Sequence, residues 1–547
     1  MEYPSIPELV RARVAETPDK PFLFSESDGR SWTYSEFDKA VKRTAAMLRG
    51  RGIDKGDVVS LLLPNSAEYI VAYFACWHIG AIAGPVNSLL KPEEIEWVIS
   101  NSESKLLLSE PSLVSGGLSQ ANVELGTRSS NAFPAATNSP EGRLAPASSA
   151  TAIETIAFGI PYIPFDDLSS IPDGTTEPAA LSPDDEAIII YTSGTTGKPK
   201  GCLLTHGNLI ANARQITEWL GFGPDDRLLT VMPLFHMNAV TVTTMTALYC
   251  GGSTVVSPKF SASRFWDIID RYQITSFGSV ATMLSMLLSS DQWPVASRQK
   301  EGRDQPLTAD HRPLTTSLRF AMCGSAPVPA EVLKRFEETF GVLVVEGYGL
   351  SESTCRSTFN PPNEGRRPGS CGRPIGNEMK VFDDDDNEVP DGTLGEIVLR
   401  GPNVFKGYFK NPEATAQAFR SGWFHTGDIG YRDAEGFFYI ADRKSDMIIR
   451  GGENFYPREI DDLLYTHPAV AAAAVIGVPD ELYGEEVAAF VVLNEGQAAS
   501  ENEMIDFCRQ HLADYKCPKT IHFVPDIPKG PTGKLLKREL ARLIRET

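Results

Sequence analysis

Tyr191-Thr192-Ser193-Gly194-Thr195-Thr196-Gly197-Lys198-Pro199-Lys200-Gly201 is the segment from which the rest of this chain becomes readable. It follows an apolar run, 188–190, that reads as a strand, and it precedes a helical pattern that Thr205 is expected to cap. Its glycines let backbone N–H groups turn towards an anion. The hydroxyls of Thr192, Ser193, Thr195 and Thr196 add donors, and Lys198 and Lys200 add positive charge. A polyphosphate is the ligand such a loop suits. It is not a Walker A loop, because two residues separate Gly194 from Gly197 where that motif has four, and Pro199 stands in place of its Ser or Thr.

On either side of this loop apolar runs alternate with helical patterns. Residues 58–63 read as a strand, 67–79 as a helix and 81–86 as a strand again, the cadence of an α/β protein. Two stretches break it, about 111–152, rich in Ser, Ala, Asn, Gly and Pro, and about 291–313, rich in charged and amide residues. Both are expected to be surface insertions. Beyond Asp442 the pattern restarts as a compact unit, with strands expected at 472–476, 487–493 and 521–524 and a last helix at 535–544. Ser500 with Glu503 three residues later forms a capping box that opens a further helix.

The chain has 547 residues, more than one hydrophobic core usually supports. Its 51 Lys and Arg against 71 Asp and Glu give a formal charge of −20, which disfavours a dominant nucleic-acid surface. The eight cysteines are scattered and suggest neither a zinc module nor a disulfide framework. Met1, Glu2, Tyr3 and Pro4 do not begin a basic region followed by an apolar run, so no signal peptide and a cytoplasmic location are expected. The most apolar stretch, 70–86, is short for a bilayer and contains His78, Gly80, Gly84 and Pro85, so it is expected to be a buried helix followed by a strand rather than an integral membrane segment.

The segment from Thr192 to Gly201 resembles the signature of the adenylate-forming superfamily, which comprises acyl-CoA synthetases, amino-acid-activating adenylation domains and beetle luciferases. Further matches follow in that family's order: Pro233, Leu234, Phe235, His236; Gly324, Ser325, Ala326, Pro327; Gly347, Tyr348, Gly349, Leu350, Ser351, Glu352; Trp423, Phe424, His425, Thr426, Gly427, Asp428; Asp442, Arg443, Lys444; Gly451, Gly452, Glu453, Asn454; and Pro531, Thr532, Gly533, Lys534. Any one of these would be weak, but eight collinear motifs exclude coincidence. The resemblance implies a large multi-subdomain α/β N-terminal domain, 1–442, a hinge at 443–446 including Lys444 and Ser445, and a small α+β C-terminal domain, 447–547, that rotates about the hinge. Ser445 stands where the family commonly has Asp or Lys.

The implied chemistry has two steps. A carboxylate attacks the α-phosphate of ATP to give acyl-adenylate and diphosphate, and the thiol of CoA then displaces AMP. Because the first step joins two anions, its catalyst must neutralise charge and align groups. By resemblance, Thr192, Ser193, Gly194, Thr195, Thr196, Gly197, Lys198 and Lys200 hold the phosphates, with Thr192 counted among the catalytic residues. Glu352 coordinates Mg²⁺, a hard cation suited to a carboxylate. Ser351 keeps the hydroxyl of the usual Thr. Tyr348, between Gly347 and Gly349, stacks on adenine opposite Ser325, Ala326 and Pro327, while Asp428 and Arg443 meet the ribose. Lys534 bridges the carboxylate and α-phosphate. His236 is expected to position and gate, since a carboxylic acid is already ionised near neutral pH and gives a base nothing to remove.

For the second step the resemblance puts Arg450, Gly451 and Gly452 at the pantetheine tunnel and Lys259 at the CoA phosphates. The segment 516–545, with eight basic residues against Asp526 and Glu539, is expected to attract ATP and CoA. The acyl pocket is expected to involve His236, Asn238, Ala239, Thr243, Ser279, Cys323, Gly324 and Gly349, a largely apolar set that favours a medium-chain fatty or aromatic acid. A crotonobetaine/carnitine-like or other small acid is the alternative, from local likeness around Phe265 and Trp266. A stand-alone adenylation enzyme that loads a carrier-protein thiol also stays open. An amino-acid substrate is disfavoured because 237–245 contains no acid to pair with an α-amino group. The expected partners are therefore a small-molecule carboxylic acid, ATP and CoA, on a monomer or homodimer.

Overall fold

The structure is a computed structural model that describes residues 3–115, 156–192, 199–290, 317–324, 330–363, 365–529 and 536–546. Apart from the short helix Pro111–Ser115, the expected insertions lie outside the described residues. Two sheets dominate the larger body. One has nine strands in the order Arg373–Pro374, Thr358–Phe359, Leu343–Tyr348, Phe320–Cys323, Ser276–Ser279, Arg227–Thr230, Ser253–Val256, Pro21–Ser25 and Ser31–Thr33. The other has eight, ordered Gly407–Tyr408, Lys200–Thr205, Glu186–Thr192, Ile82–Pro85, Val58–Leu62, Leu106–Ser109, Ile160–Pro164 and Ile156–Ala157. The central strands of both run parallel, as buried apolar strands joined by helical crossovers do.

Helix Ala67–Ile79 has the bounds the sequence predicts. The Ser66 hydroxyl accepts from the Tyr69 N–H at 3.1 Å to start it, and Gly80, at φ +74°, ends it. Every residue in it is buried, including Glu68, whose carboxylate pairs with Arg30 at 2.8 Å. Its polar tips reach both sheets' neighbourhoods: Trp77 Nε1 donates to the Ala187 carbonyl at 2.9 Å, and the Tyr73 hydroxyl to that of Leu234 at 2.7 Å. The helix thus belongs to one continuous core that extends from Ile6 to Phe438.

A third, antiparallel sheet is built from Glu378–Phe382, Gly395–Arg400, Trp423–Arg432 and Phe419–Arg420, with Phe438–Arg443 paired to Trp423–Arg432. It carries Asp428 and Arg443 to the other two sheets. Beyond it the chain forms a smaller unit with its own apolar clusters, centred on strands Val470–Asp480 and Gly484–Leu493. Thr520–Phe523 adds to the latter in parallel, and the capping box at Ser500 opens helix Glu501–His511. The last helix is Lys537–Glu546, shifted two residues from its predicted start. The protein is therefore a large α/β body with several subdomains and a small α+β C-terminal unit.

Candidate active site

The phosphate-loop segment joins two antiparallel strands, Glu186–Thr192 and Lys200–Thr205, with Thr192 paired to Lys200. The expected cap is present: after the hairpin arm Lys200–Thr205, Thr205 caps helix His206–Leu220 through a capping box with Asn208. Ser193, Gly194, Thr195, Thr196, Gly197 and Lys198 lie outside the described residues. Both ends of the loop are nevertheless fixed. The ammonium of Lys200 lies 5.2 Å from the centroid of the Tyr408 ring, and the Tyr408 hydroxyl donates to Glu352 Oε1 at 3.0 Å. Tyr408 itself sits on the strand that pairs with Lys200–Thr205.

Glu352 occupies a single 3-10 turn, Ser351–Ser353, directly after strand Leu343–Tyr348 and the short link Gly349–Leu350. Burial pushes its carboxyl above the ordinary range, partly offset by the Tyr408 hydroxyl and the charge of Arg443. A carboxylate in such surroundings is short of positive charge, which is the condition a divalent cation satisfies. Among the described residues no group of three or more His, Cys, Asp or Glu could cage a metal.

A second polar cluster faces this one. The Tyr348 hydroxyl donates to Asp428 Oδ2 at 2.6 Å, and Arg443 Nε lies 3.0 Å from Asp428 Oδ1. Asp428 and Arg443 are direct cross-strand partners, so the sheet register alone brings the pair together. Asp428 raises the Arg443 pKa, and burial drives the Tyr348 phenol well above its usual value. The glycines beside Tyr348 are required by close packing. A Cβ at Gly347 would lie 2.5 Å from the Phe359 ring, and one at Gly349 2.0 Å from the Cys355 carbonyl oxygen. Ser325, Ala326, Pro327 and Lys534 lie outside the described residues.

His236 packs at 4.7 Å, centroid to centroid, on Phe235, and burial lowers its pKa to about 4, so it is neutral at pH 7. Asn238 and the buried Ala239 and Thr243 belong to a π-helix, Asn238–Met245, that the sequence reading did not anticipate. Its threonines explain the wide turn: Thr244 and Thr246 donate to carbonyls five residues back, those of Ala239 and Thr241, at 2.8 and 3.0 Å. Thr243 is bonded to the Ala239 carbonyl and Ser279 to that of Met322, so both hydroxyls are engaged within the wall. Cys323 is fully buried, its thiol pushed up to about 12, and is packing rather than chemistry.

The residues expected to meet CoA are less concentrated. Lys259 is exposed. Arg450 is ion-paired with Glu486, bonded to the Tyr515 carbonyl at 3.2 Å and stacked 4.8 Å over Tyr483, so its charge is engaged within the C-terminal unit. Gly451 and Gly452, at φ +61° and +90°, form the two-residue turn of a hairpin, a geometry glycine permits at both places. Of the described basic residues along 516–545, three have acidic partners outside that segment. Lys516, Lys519 and Lys537 lie 2.6, 3.2 and 3.0 Å from Glu459, Asp480 and Asp461, acids supplied by other elements. Lys444 pairs with Asp384 at 2.7 Å, while Ser445 is exposed and bonds only its neighbour Asp446, at 3.0 Å.

One buried acid near the site has no place in this chemistry. Glu346, one residue before Gly347, is 7% exposed and accepts from the Gly369 N–H at 3.1 Å, and burial pushes its carboxyl up to about 8. A carboxyl raised above its unfolded value stabilises the fold fully at low pH, and that contribution is lost as pH rises through the folded pKa. Glu346→Gln should therefore melt a few degrees above the parent at pH values beyond about 8, with the difference fading below about pH 5. Thermal melts across that range check it, and a constant offset at every pH would contradict it.

The sequence reading missed Tyr408, which links the phosphate loop to Glu352. It lies 56 residues beyond Glu352, and only the three-dimensional pairing of a two-residue strand brings it there. Two family profiles match the chain: AMP-binding enzyme over residues 10–409 and AMP-binding enzyme C-terminal domain over 459–534. The chain is 35% identical to a sulfoacetate–CoA ligase of Cupriavidus necator, covering 98% of this chain and 97% of that protein. It is 32% identical to a long-chain-fatty-acid–CoA ligase of Bacillus subtilis, covering 98% and 94%. In structure it resembles the o-succinylbenzoate CoA synthetase (MenE) of Bacillus subtilis in complex with its acyl-adenylate intermediate, at 30% identity, a TM-score of 0.80 and 98% coverage of both chains.

Proposed function

The chain belongs to the AMP-binding enzyme family, and from that premise we propose that it is an ATP-dependent acyl-CoA ligase, forming acyl-CoA, AMP and diphosphate from a carboxylic acid, ATP and CoA through an acyl-adenylate. The observation that carries this reading is a pair of neighbouring polar clusters, one of them anchored at the Lys200 end of the phosphate loop. Lys200, Tyr408 and Glu352 form one, and Tyr348, Asp428 and Arg443 the other. The two are close enough that Arg443 and Asp428 influence the charge of Glu352. No helix among the described residues is long and apolar enough to cross a membrane. A cytoplasmic location is part of the proposal.

In this reading the loop and Lys200 bind the triphosphate, Tyr348 lies along the adenine, and Asp428 accepts the ribose hydroxyls while Arg443 holds its carboxylate in place. Glu352 would hold Mg²⁺, which when bound supplies positive charge to the phosphate oxygens. Neutral His236 lines the path to the reacting carboxylate without contributing a negative or positive charge of its own. Lys534 offsets the charge that develops between the carboxylate and the α-phosphate. The C-terminal unit then turns about Lys444 and Ser445, bringing the Gly451–Gly452 turn to the pantetheine arm of CoA.

The test is AMP and diphosphate release by the purified protein over a panel of acids, with and without CoA; absence of both products for every acid would end the ligase reading. Glu352→Gln keeps the acceptor for Tyr408 but removes the charge. It should lower the adenylation rate by about 100-fold and shift the Mg²⁺ requirement upward. An unchanged Mg²⁺ titration would remove Glu352 from the metal site.

A further inference from the structure

The acyl side of the site contains more unpartnered polarity than a hydrocarbon acid needs. Arg356 is 1% exposed, yet its Nε and Nη2 have no hydrogen-bond partner. Nη1 reaches only the Cys355 carbonyl, at 3.4 Å, and the guanidinium carbon lies 5.5 Å from the centroid of the Phe359 ring. Among the described residues no carboxylate pairs with it. Asn238, 3% exposed, has both amide atoms unpartnered, and so is His236 Nε2.

These groups are held in one neighbourhood. Asn238 begins the π-helix whose Thr241 hydroxyl donates to the Thr354 carbonyl at 3.1 Å, two residues before Arg356. Glycines on adjacent strands make room for the polar heads. A Cβ at Gly324 would lie 2.9 Å from Arg356 Nη2, and one at Gly278 would lie 2.4 Å from Asn238 Oδ1. The backbone leading to Arg356 is strained, with Thr354 at φ +65° and Cys355 at φ +144°, values rare for residues other than glycine. That strain is held by specific bonds. Thr354 Oγ1 donates to the Asn403 carbonyl at 2.6 Å, and Asn212 clasps the Arg356 backbone at both its N–H and its carbonyl, at 3.1 and 2.6 Å. A guanidinium so fixed and so buried has no counter-ion among the described residues.

We propose that the acid activated at this site carries a second anionic group, a carboxylate or a sulfonate on a short spacer, that Arg356 is the counter-ion of that group, and that Asn238 supplies a neighbouring donor. The proposal rests on the ligase reading and departs from the neutral medium-chain or aromatic acid expected from the sequence. A bidentate guanidinium matches either anion. A short spacer fits the close approach of the Asn238 amide to Gly278, where an added Cβ would lie 2.4 Å from Asn238 Oδ1.

The test measures AMP release by the full chain with ATP, Mg²⁺ and CoA, using pairs of acids matched in length: malonate and sulfoacetate against propanoate, succinate against butanoate, and octanoate and coumarate as the neutral alternatives. The expected result is that at least one dianion exceeds its monoanionic counterpart in kcat/KM by about 100-fold, the effect of leaving a buried charge unpaired. The malonate and sulfoacetate arms distinguish carboxylate from sulfonate. A preference for octanoate or coumarate over every dianion overturns the proposal while leaving the ligase reading intact; no AMP with any acid overturns both. Arg356→Met should erase most of that discrimination while the ATP-induced shift in melting temperature persists, with Arg356→Lys recovering part of it. Equal loss on dianions and monoanions, together with a lost ATP shift, would reduce Arg356 to a packing residue and overturn its assignment.

Discussion

Lys534→Ala is expected to lose adenylation by about 100-fold or more while still converting supplied acyl-adenylate and CoA to thioester. The reason is electrostatic. In the proposed first step a carboxylate approaches a phosphate, and an ammonium placed between them stabilises charge that exists only as the bond forms. The second step joins a thiol to an already activated acyl group and needs no such cation. The helix that follows Lys534 is anchored independently, by the Lys537–Asp461 pair at 3.0 Å and by the buried Leu540, so removing one amine upstream should leave the fold unchanged. Measuring the two half-reactions separately decides the matter, and equal loss in both would count against the role.

Asp428→Asn is expected to raise the KM for ATP by about 100-fold with little loss of thermal stability. The amide keeps an oxygen to accept from Tyr348 but gives up the charge that holds Arg443 and that would take both ribose hydroxyls. Arg443 is partly exposed, 36% in its side chain, so water can replace the lost carboxylate. The binding and stability consequences are thus separable. Titration of ATP against the variant, alongside its melt, checks both; a melt that falls while ATP affinity holds would make Asp428 a structural residue only.

Much of the architecture was legible because the relevant signals are local. The strand and helix of 58–79 announce themselves by run length and by breakers, the box at Ser500 by a cap three residues before its partner, and Thr205 as a cap residue before a helical pattern. Asp428 and Arg443 were readable as motif residues, and the register that pairs them is short-range in three dimensions. What escaped depends on contacts distant in sequence. Tyr408 and Arg356 carry no local pattern, and their surroundings come from Glu352 and Lys200 in one case and Asn212, Asn403 and Gly324 in the other. The partners that Lys516, Lys519 and Lys537 find, Glu459, Asp480 and Asp461, come from other elements and were not legible for the same reason.

The two-residue strand Gly407–Tyr408 has a further consequence. It forms the outer edge of the eight-stranded sheet, alongside the hairpin arm that leaves the phosphate loop. An uncovered arm there would offer a row of unpaired N–H and carbonyl groups to any passing chain. Gly407–Tyr408 is too short to serve as such a template, and Lys406 and Lys410 flank it, each tied to an acid of the same body, Glu186 and Glu103. Charged lysines beside a stunted edge are how sheets resist intermolecular strand pairing. Tyr408, which bonds Glu352, therefore also sits on an edge whose shortness and charge disfavour strand pairing with another chain.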